Sequence, residues 1–226
     1  MPIFAQNADI MVINLGKGNS LLNQFIAELR DVEIQKDAMR FRKNLERIGQ
    51  IFAYEISKKL EYENKEVVTP LGSTEMSMLK NYPVLASIIR AGLPFHHGLL
   101  NFFDKSDNAF ISAYRKYYKD GNFEVHVQYV SKPLLEGKDL ILIDPMLATG
   151  NSMALTYREL TGEEKPRHTH LISIIASLEG VNYIKRNFSS SEVTLWVGAI
   201  DDELTAQAYI VPGLGDAGDL AYGSKI

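Results

Sequence analysis

From Val67 onward the chain alternates short apolar runs with helix-patterned segments, and that alternation narrows the fold more than any other feature. The segments fall at residues 84–89, 93–103, 109–114, 140–143, 152–160, 171–176, 181–186 and 193–200. Strands and helices in this order predict an α/β fold with a mainly parallel sheet flanked by helices. The first third reads as an N-terminal helical segment. Between residues 36 and 61, Leu45, Ile48, Phe52, Ile56 and Leu60 recur at three- and four-residue spacings, so one apolar stripe packs on the rest of the domain. One stretch departs from the pattern. Val125, Val127 and Tyr129 alternate with His126 and Gln128, the period of a half-exposed strand. With residues 109–114 it predicts a projecting antiparallel β-arm, joined through the turn Lys119-Asp120-Gly121-Asn122.

A chain of 226 residues with 46% hydrophobic and 23% charged residues can bury an ordinary core, and it shows no repeat or linker. A single domain over residues 1–226 is expected. The formal net charge of −4 argues against a nucleic-acid binder working through a broad basic face. Cysteine is absent, which excludes disulfides, zinc-thiolate sites and thiol nucleophiles and fits a reducing compartment. Met1-Pro2-Ile3-Phe4 does not begin a signal peptide, and no uncharged apolar stretch is long enough for a membrane span. The expected location is the cytoplasm.

The most informative stretch is Leu140-Ile141-Leu142-Ile143-Asp144-Pro145-Met146-Leu147-Ala148-Thr149-Gly150-Asn151-Ser152. A buried strand ends in an acid, and a loop of small residues then opens a helix. Ligands bind at that position in open α/β sheets. Free N–H groups at a helix N-terminus, with two hydroxyls beside them, hold a phosphate. Asp144, acceptor-only when ionised, suits sugar hydroxyls. Residue chemistry alone fits equally well a strand, a turn and an N-capped helix with no ligand. A Walker-type loop is disfavoured, because no Gly-Lys-Ser/Thr follows.

An apolar strand, an acid and a Thr-Gly-x-Ser loop resemble the phosphoribosyl-pyrophosphate (PRPP) motif of the type I phosphoribosyltransferases. Asp144-Pro145-Met146-Leu147-Ala148-Thr149-Gly150 resembles the version found in uracil phosphoribosyltransferases. Family members commonly carry Gly-Gly-Ser where this chain has Gly150-Asn151-Ser152. Asn tolerates a left-handed backbone better than most residues, so the loop is expected to keep its shape. A second segment, Tyr209-Ile210-Val211-Pro212-Gly213-Leu214-Gly215-Asp216-Ala217-Gly218-Asp219, resembles the family's uracil-recognition loop. A third, Ser87-Ile88-Ile89-Arg90-Ala91-Gly92-Leu93, resembles its Leu-Arg-Ala-Gly motif, and Arg115 falls where the family has another PRPP-binding arginine. The resemblance runs from Leu29-Arg30-Asp31 to Gly223. It is weakest over residues 11–20 and at Pro94-Phe95-His96-His97. Those two histidines, adjacent on a helix, point about 100° apart and make a poor metal pair. His168, His170 and Trp196 read as structural.

The resemblance implies the type I phosphoribosyltransferase fold, with a C-terminal hood that binds the base, and an enzyme joining uracil to PRPP to give UMP and pyrophosphate in pyrimidine salvage. PRPP would arrive with Mg²⁺ and lie against Asp144, Pro145, Met146, Leu147, Ala148, Thr149, Gly150, Asn151 and Ser152. Arg90 and Arg115 would take its pyrophosphate, and Asp216 would face the PRPP and its metal. Asp144, Arg90 and Arg115 are the expected catalytic residues. Ile210, Gly215, Asp216 and Ala217 would bind uracil. A homodimer or higher homo-oligomer is implied. Two other readings stand beside this one: a phosphoribosyltransferase for another base, and a PRPP- or nucleotide-sensing regulator that binds RNA.

Overall fold

The computed structural model describes residues 10–117 and 123–224, with side chains outside 113–126. In chain order the elements are β1 (Met11–Asn14), α1 (Leu21–Arg30), α2 (Ala38–Ser57), β2 (Tyr62–Thr69), β3 (Gly72–Leu79), β4 (Val84–Ile89) and α3 (Gly92–Leu100). Then follow β5 (Asn108–Tyr117), β6 (Phe123–Ser131), β7 (Asp139–Ile143), β8 (Met146–Leu147), α4 (Asn151–Thr161), β9 (His168–Ser177) and α5 (Leu178–Asn187). The chain closes with β10 (Val193–Asp201), β11 (Glu203–Leu204), β12 (Ile210–Val211) and α6 (Ala217–Tyr222).

The main sheet runs β1-β10-β9-β7-β4-β5-β6, with β8 beside β9. Every pairing in it is parallel except β5 with β6. Its central strands are apolar throughout because both faces are covered. Leu85, Ile141, Ile143, Ile172 and Trp196 turn towards α1, α2 and α3, whereas Val84, Ala86, Leu140, Leu142 and Leu195 turn towards α4 and α5. That division is the two-residue period of a strand expressed as two cores. The stripe on α2 behaves as its spacing predicts: Leu45, Ile48, Phe52 and Ile56 are fully buried, and Asp37 caps the helix by accepting from Arg40 N at 3.0 Å.

Two elements lie outside the sequence-based expectation. The first third is not wholly helical, because β1 adds to the sheet edge and Val67 belongs to the hairpin β2–β3. Among the described residues that hairpin pairs with no other strand, and nearly every residue in it is solvent-exposed. Its strands alternate no apolar face with a polar one, so period-two patterning could not reveal them. The expected β-arm does form from β5 and β6, as an extension of the main sheet. Only the first half of β5 pairs with β4, and beyond Ser112 it pairs with β6 alone. The turn Lys119-Asp120-Gly121-Asn122 lies outside the described residues.

Candidate active site

Parallel strands place their carboxyl ends at one end of the sheet, and there the three motif segments meet. Arg90 follows β4, Asp144 follows β7, and the chain after β10 returns through β12 to α6. The peptide bonds Ile89–Arg90 and Val211–Pro212 are cis.

The segment after β7 is firmly anchored underneath. Pro145 O accepts from Ile174 N and Ile175 N, both at 3.0 Å, and Met146 and Leu147 pair with Ile175 and Ala176 as β8. Pro145 and Leu147 are therefore buried footing, while Ala148, Thr149 and Ser152 are half-buried and Asn151 is exposed. Asp144 Oδ1 accepts from Met146 N at 3.2 Å, and Ser173 Oγ donates to Asp144 O at 2.5 Å.

The N-cap of α4 is Gly150 with φ 85°, which has no side chain with which to cap the helix. Thr149 Oγ1 meets only the Asn151 N–H, at 3.4 Å. An eleven-residue helix thus presents its positive end at the carboxyl end of β7 without an acid in its first turn. The N-cap residue of α4 therefore contributes no side-chain oxygen to the helix end. The left-handed residue is also Gly150 rather than Asn151. Asn151 is the first residue of α4, so its tolerance of left-handed backbone plays no part in the loop.

Neighbouring α5 holds this loop in place. Ser177 Oγ donates to Ala148 O at 2.5 Å and accepts from Gly180 N at 2.9 Å. A Cβ on Gly180 would lie 2.4 Å from Ala148 O, so the loop can approach α5 only because this residue has no side chain. Sequence reading missed both residues; neither stands near a motif.

At the other side, Arg90 Nη2 donates to Asp219 Oδ1 at 2.8 Å and Nη1 to Gly223 O at 3.1 Å. Arg90 Nε and Ser87 Oγ are buried and have no hydrogen-bond partner among the described residues. Asp216 caps α6, its Oδ1 accepting from Gly218 N at 2.8 Å and Asp219 N at 3.0 Å. Ile210 and Ala217 are buried here beside the exposed, left-handed Gly215. Arg115 shares the β5–β6 backbone register with Val125, and its side chain lies outside the described residues.

The Pro94-Phe95-His96-His97 segment faces elsewhere. Pro94, His96 and His97 line a cavity of about 510 Å³ between α2, α3, β5 and α6, together with Arg42, Phe110 and Tyr222, whereas Phe95 is buried in the core against Phe52. His96 Nε2 lies 2.8 Å from Asn108 Oδ1, and burial pushes its pKa down. Among the described residues no three His, Asp or Glu side chains gather as a metal site. His168 and His170 sit on β9 and Trp196 is in the core, all three structural as read from the sequence.

A helix N-terminus, an acid after the central strand and an arginine joined to a glycine-rich C-terminal loop lie at the same end of the sheet. Known proteins share the chain's sequence and its fold. The family model described as Uracil phosphoribosyltransferase matches residues 17–224. A uracil phosphoribosyltransferase of Porphyromonas gingivalis is 54% identical over 215 residues, covering 95% of this chain and 99% of the relative. One from Pyrococcus furiosus is 35% identical over 206 residues, covering 90% and 86%. The solved structure of the AQ2163 protein from Aquifex aeolicus superposes with a TM-score of 0.84 at 32% identity, covering 96% of this chain and all of that one. With the motif segments meeting at one end of a shared fold, and with this likeness spanning nearly its whole length, the chain belongs to the uracil phosphoribosyltransferase family.

Proposed function

We propose that the chain transfers the 5-phosphoribosyl group of PRPP to N1 of uracil, releasing UMP and pyrophosphate in pyrimidine salvage. The observation that carries this reading is the N-terminus of α4 at the carboxyl end of β7, on the same end of the sheet as Arg90 and the loop 210–219. The 5′-phosphate sits against residues 148–152, where free N–H groups and the helix dipole favour an anion. Asp144 accepts from the ribose hydroxyls. Arg90 and Arg115 hold the pyrophosphate as the bond from the anomeric carbon to oxygen breaks and the bond to uracil N1 forms, the N1 proton leaving to the departing pyrophosphate or to water. Their guanidinium groups stay charged throughout and stabilise the leaving group. No covalent nucleophile is needed, so acceleration comes from positioning and leaving-group stabilisation.

Uracil lies against Ile210, Gly215, Asp216 and Ala217. A backbone donor facing a uracil carbonyl would be left unpaired by the cytosine amino group, which is costly in a site closed to water. Asp144 and Asp216 offer only oxygen, the ligand type that suits Mg²⁺, and the metal would take its remaining ligands from PRPP and water. Bound with PRPP, Mg²⁺ would supply neutralising charge on the pyrophosphate, and Asp216 is the residue that would hold it. The β5–β6 arm covers the site during reaction and keeps water from PRPP.

The chain works as a single domain in the cytoplasm, a location supported by the absence of cysteine; no helix among the described residues is long and apolar enough to cross a membrane. It works as a homodimer or higher homo-oligomer. A two-stranded hairpin is marginal by itself in water, and β2–β3 exposes Val68, Leu71, Met76 and Met78. The test of activity is incubation with PRPP, Mg²⁺ and each of uracil, cytosine, hypoxanthine and orotate, read by chromatography. UMP formed with uracil alone, and lost with a chelator, supports the reaction; a nucleotide of another base, or PRPP binding without turnover, refutes it.

A further inference from the structure

The contact between Arg90 and Asp219 joins two segments that the reaction uses for different substrates. Arg90 lies in the segment assigned to the pyrophosphate, and Asp219 in the first turn of α6, beside the residues assigned to uracil. Three features of this contact do not fit a purely structural ion pair. Both side chains are about one-third exposed, at 33% and 37%, where an ion pair adds little to stability. The Asp219 carboxylate is not needed to cap α6, because Asp216 already takes the N–H groups of Gly218 and Asp219. The two terminal nitrogens of Arg90 meet Asp219 Oδ1 and Gly223 O, yet its Nε is buried without a partner among the described residues. A guanidinium at rest in its best position would not leave a buried donor unsatisfied. Asp219 and Gly223 bracket α6, and Gly223 N donates to Asp219 O at 2.8 Å, so the helix closes its own end while Arg90 reaches both residues.

We propose that Asp219 is the resting counterion of Arg90 and is displaced by the pyrophosphate group of PRPP. The carboxylate occupies a terminal nitrogen that an incoming phosphate oxygen needs. A pyrophosphate carries more charge and binds a guanidinium through paired oxygens, so it wins the exchange. When pyrophosphate leaves, Asp219 takes Arg90 back and assists release. Asp219 is thus a positioning residue, acting through Arg90 and touching neither substrate.

The inference rests on the PRPP reading of the site, and the experiment separates the two. Binding of Mg²⁺-pyrophosphate and of ribose 5-phosphate is measured by calorimetry for the full chain, for Asp219→Asn and for Asp219→Glu. Thermal midpoints are recorded, and KM for PRPP and kcat are determined with uracil. Asp219→Asn is expected to bind pyrophosphate about fivefold more tightly, the upper range for an exposed ion pair. Its KM for PRPP and its kcat should both fall, the second because release slows. Ribose 5-phosphate affinity and the thermal midpoint should stay at wild-type values, and Asp219→Glu should return pyrophosphate affinity towards wild type. Equal or weaker pyrophosphate binding by Asp219→Asn, with ribose 5-phosphate binding intact, overturns the exchange and leaves the PRPP site standing. Failure of the unaltered chain to bind either phosphate ligand overturns both.

Discussion

Arg30 grips Asp201 with both terminal nitrogens, at 2.7 and 2.8 Å, and the same guanidinium donates to Gly213 O at 2.9 Å. Gly213 N completes the arrangement by donating to Asp201 Oδ2 at 2.9 Å. The end of α1, the end of β10 and the glycine-rich loop are thereby locked together, although the two charged residues stand 171 positions apart. Burial by itself would raise the Asp201 pKa, but the hydrogen bonds from Arg30 and Gly213 outweigh it and hold the carboxyl below its ordinary value.

Arg30→Ala should therefore leave a buried carboxylate unpaired and cost about 3 kcal/mol of stability. Arg30→Lys keeps the charge but loses the paired geometry, so it should fold and yet raise KM for uracil more than KM for PRPP. Denaturant melts and steady-state kinetics on the two variants check this.

Asp144→Asn should retain the fold, since the amide oxygen can still accept from Met146 N. Arg90→Ala should fold as well, because its ion pair is exposed. Each should lose on the order of 100-fold or more in kcat if the site is assigned correctly. Near-normal turnover in either, with an unchanged circular-dichroism melt, would remove that residue from the catalytic set.

Gly180→Ala tests the footing of the phosphate loop. The added methyl would meet Ala148 O at 2.4 Å, and relieving that contact should push the loop away from α5. The expected outcome is a stability loss of about 1–3 kcal/mol and a raised KM for PRPP, with KM for uracil little changed. An unchanged KM for PRPP would mean that the loop does not depend on this contact.

His170 gives the folded state a dependence on acid. Burial, with the neighbouring His168 and Arg167 adding to it, holds its pKa down to about 3, against 6.5 for an ordinary histidine. Trp196 Nε1 donates to its Nδ1 at 3.1 Å, which requires that nitrogen to be unprotonated. Between these two pKa values the unfolded chain binds a proton that the folded chain refuses, so stability falls as pH drops from 6.5 towards 3. His170→Gln keeps an acceptor for Trp196 and should flatten the curve across that window. Thermal melts at intervals of half a pH unit would show it.

The β5–β6 arm should become protected during the reaction. Trypsin cleavage near Lys116 or Lys119 is expected to slow several-fold when PRPP, Mg²⁺ and uracil are present together. Equal digestion with and without the ligands would count against the covering role.

The central strands and the α2 stripe were legible because each is a local pattern whose period matches its structure. Residues 140–143 could hardly be anything but a buried strand, and the small-residue loop after them opens a helix as its pattern predicted. The hairpin 62–79 was not legible, since its exposed strands separate no apolar face from a polar one. The anchoring residues escaped for a different reason. Arg30 and Asp201 look like ordinary surface charges one at a time, and Gly180 like an ordinary helix residue.

By itself, then, the sequence determined the alternation of elements, the two-sided core and the motif segments that resemble the family's, because periodicity and short motifs are properties of neighbours along the chain. Only the tertiary structure decided which of those segments meet. It paired Arg90 with Asp219, tied Gly213 to Arg30 and Asp201, and set Gly180 beneath Ala148. Such contacts depend on strand order and on close approach across more than a hundred residues or between separate elements, and no local pattern encodes them.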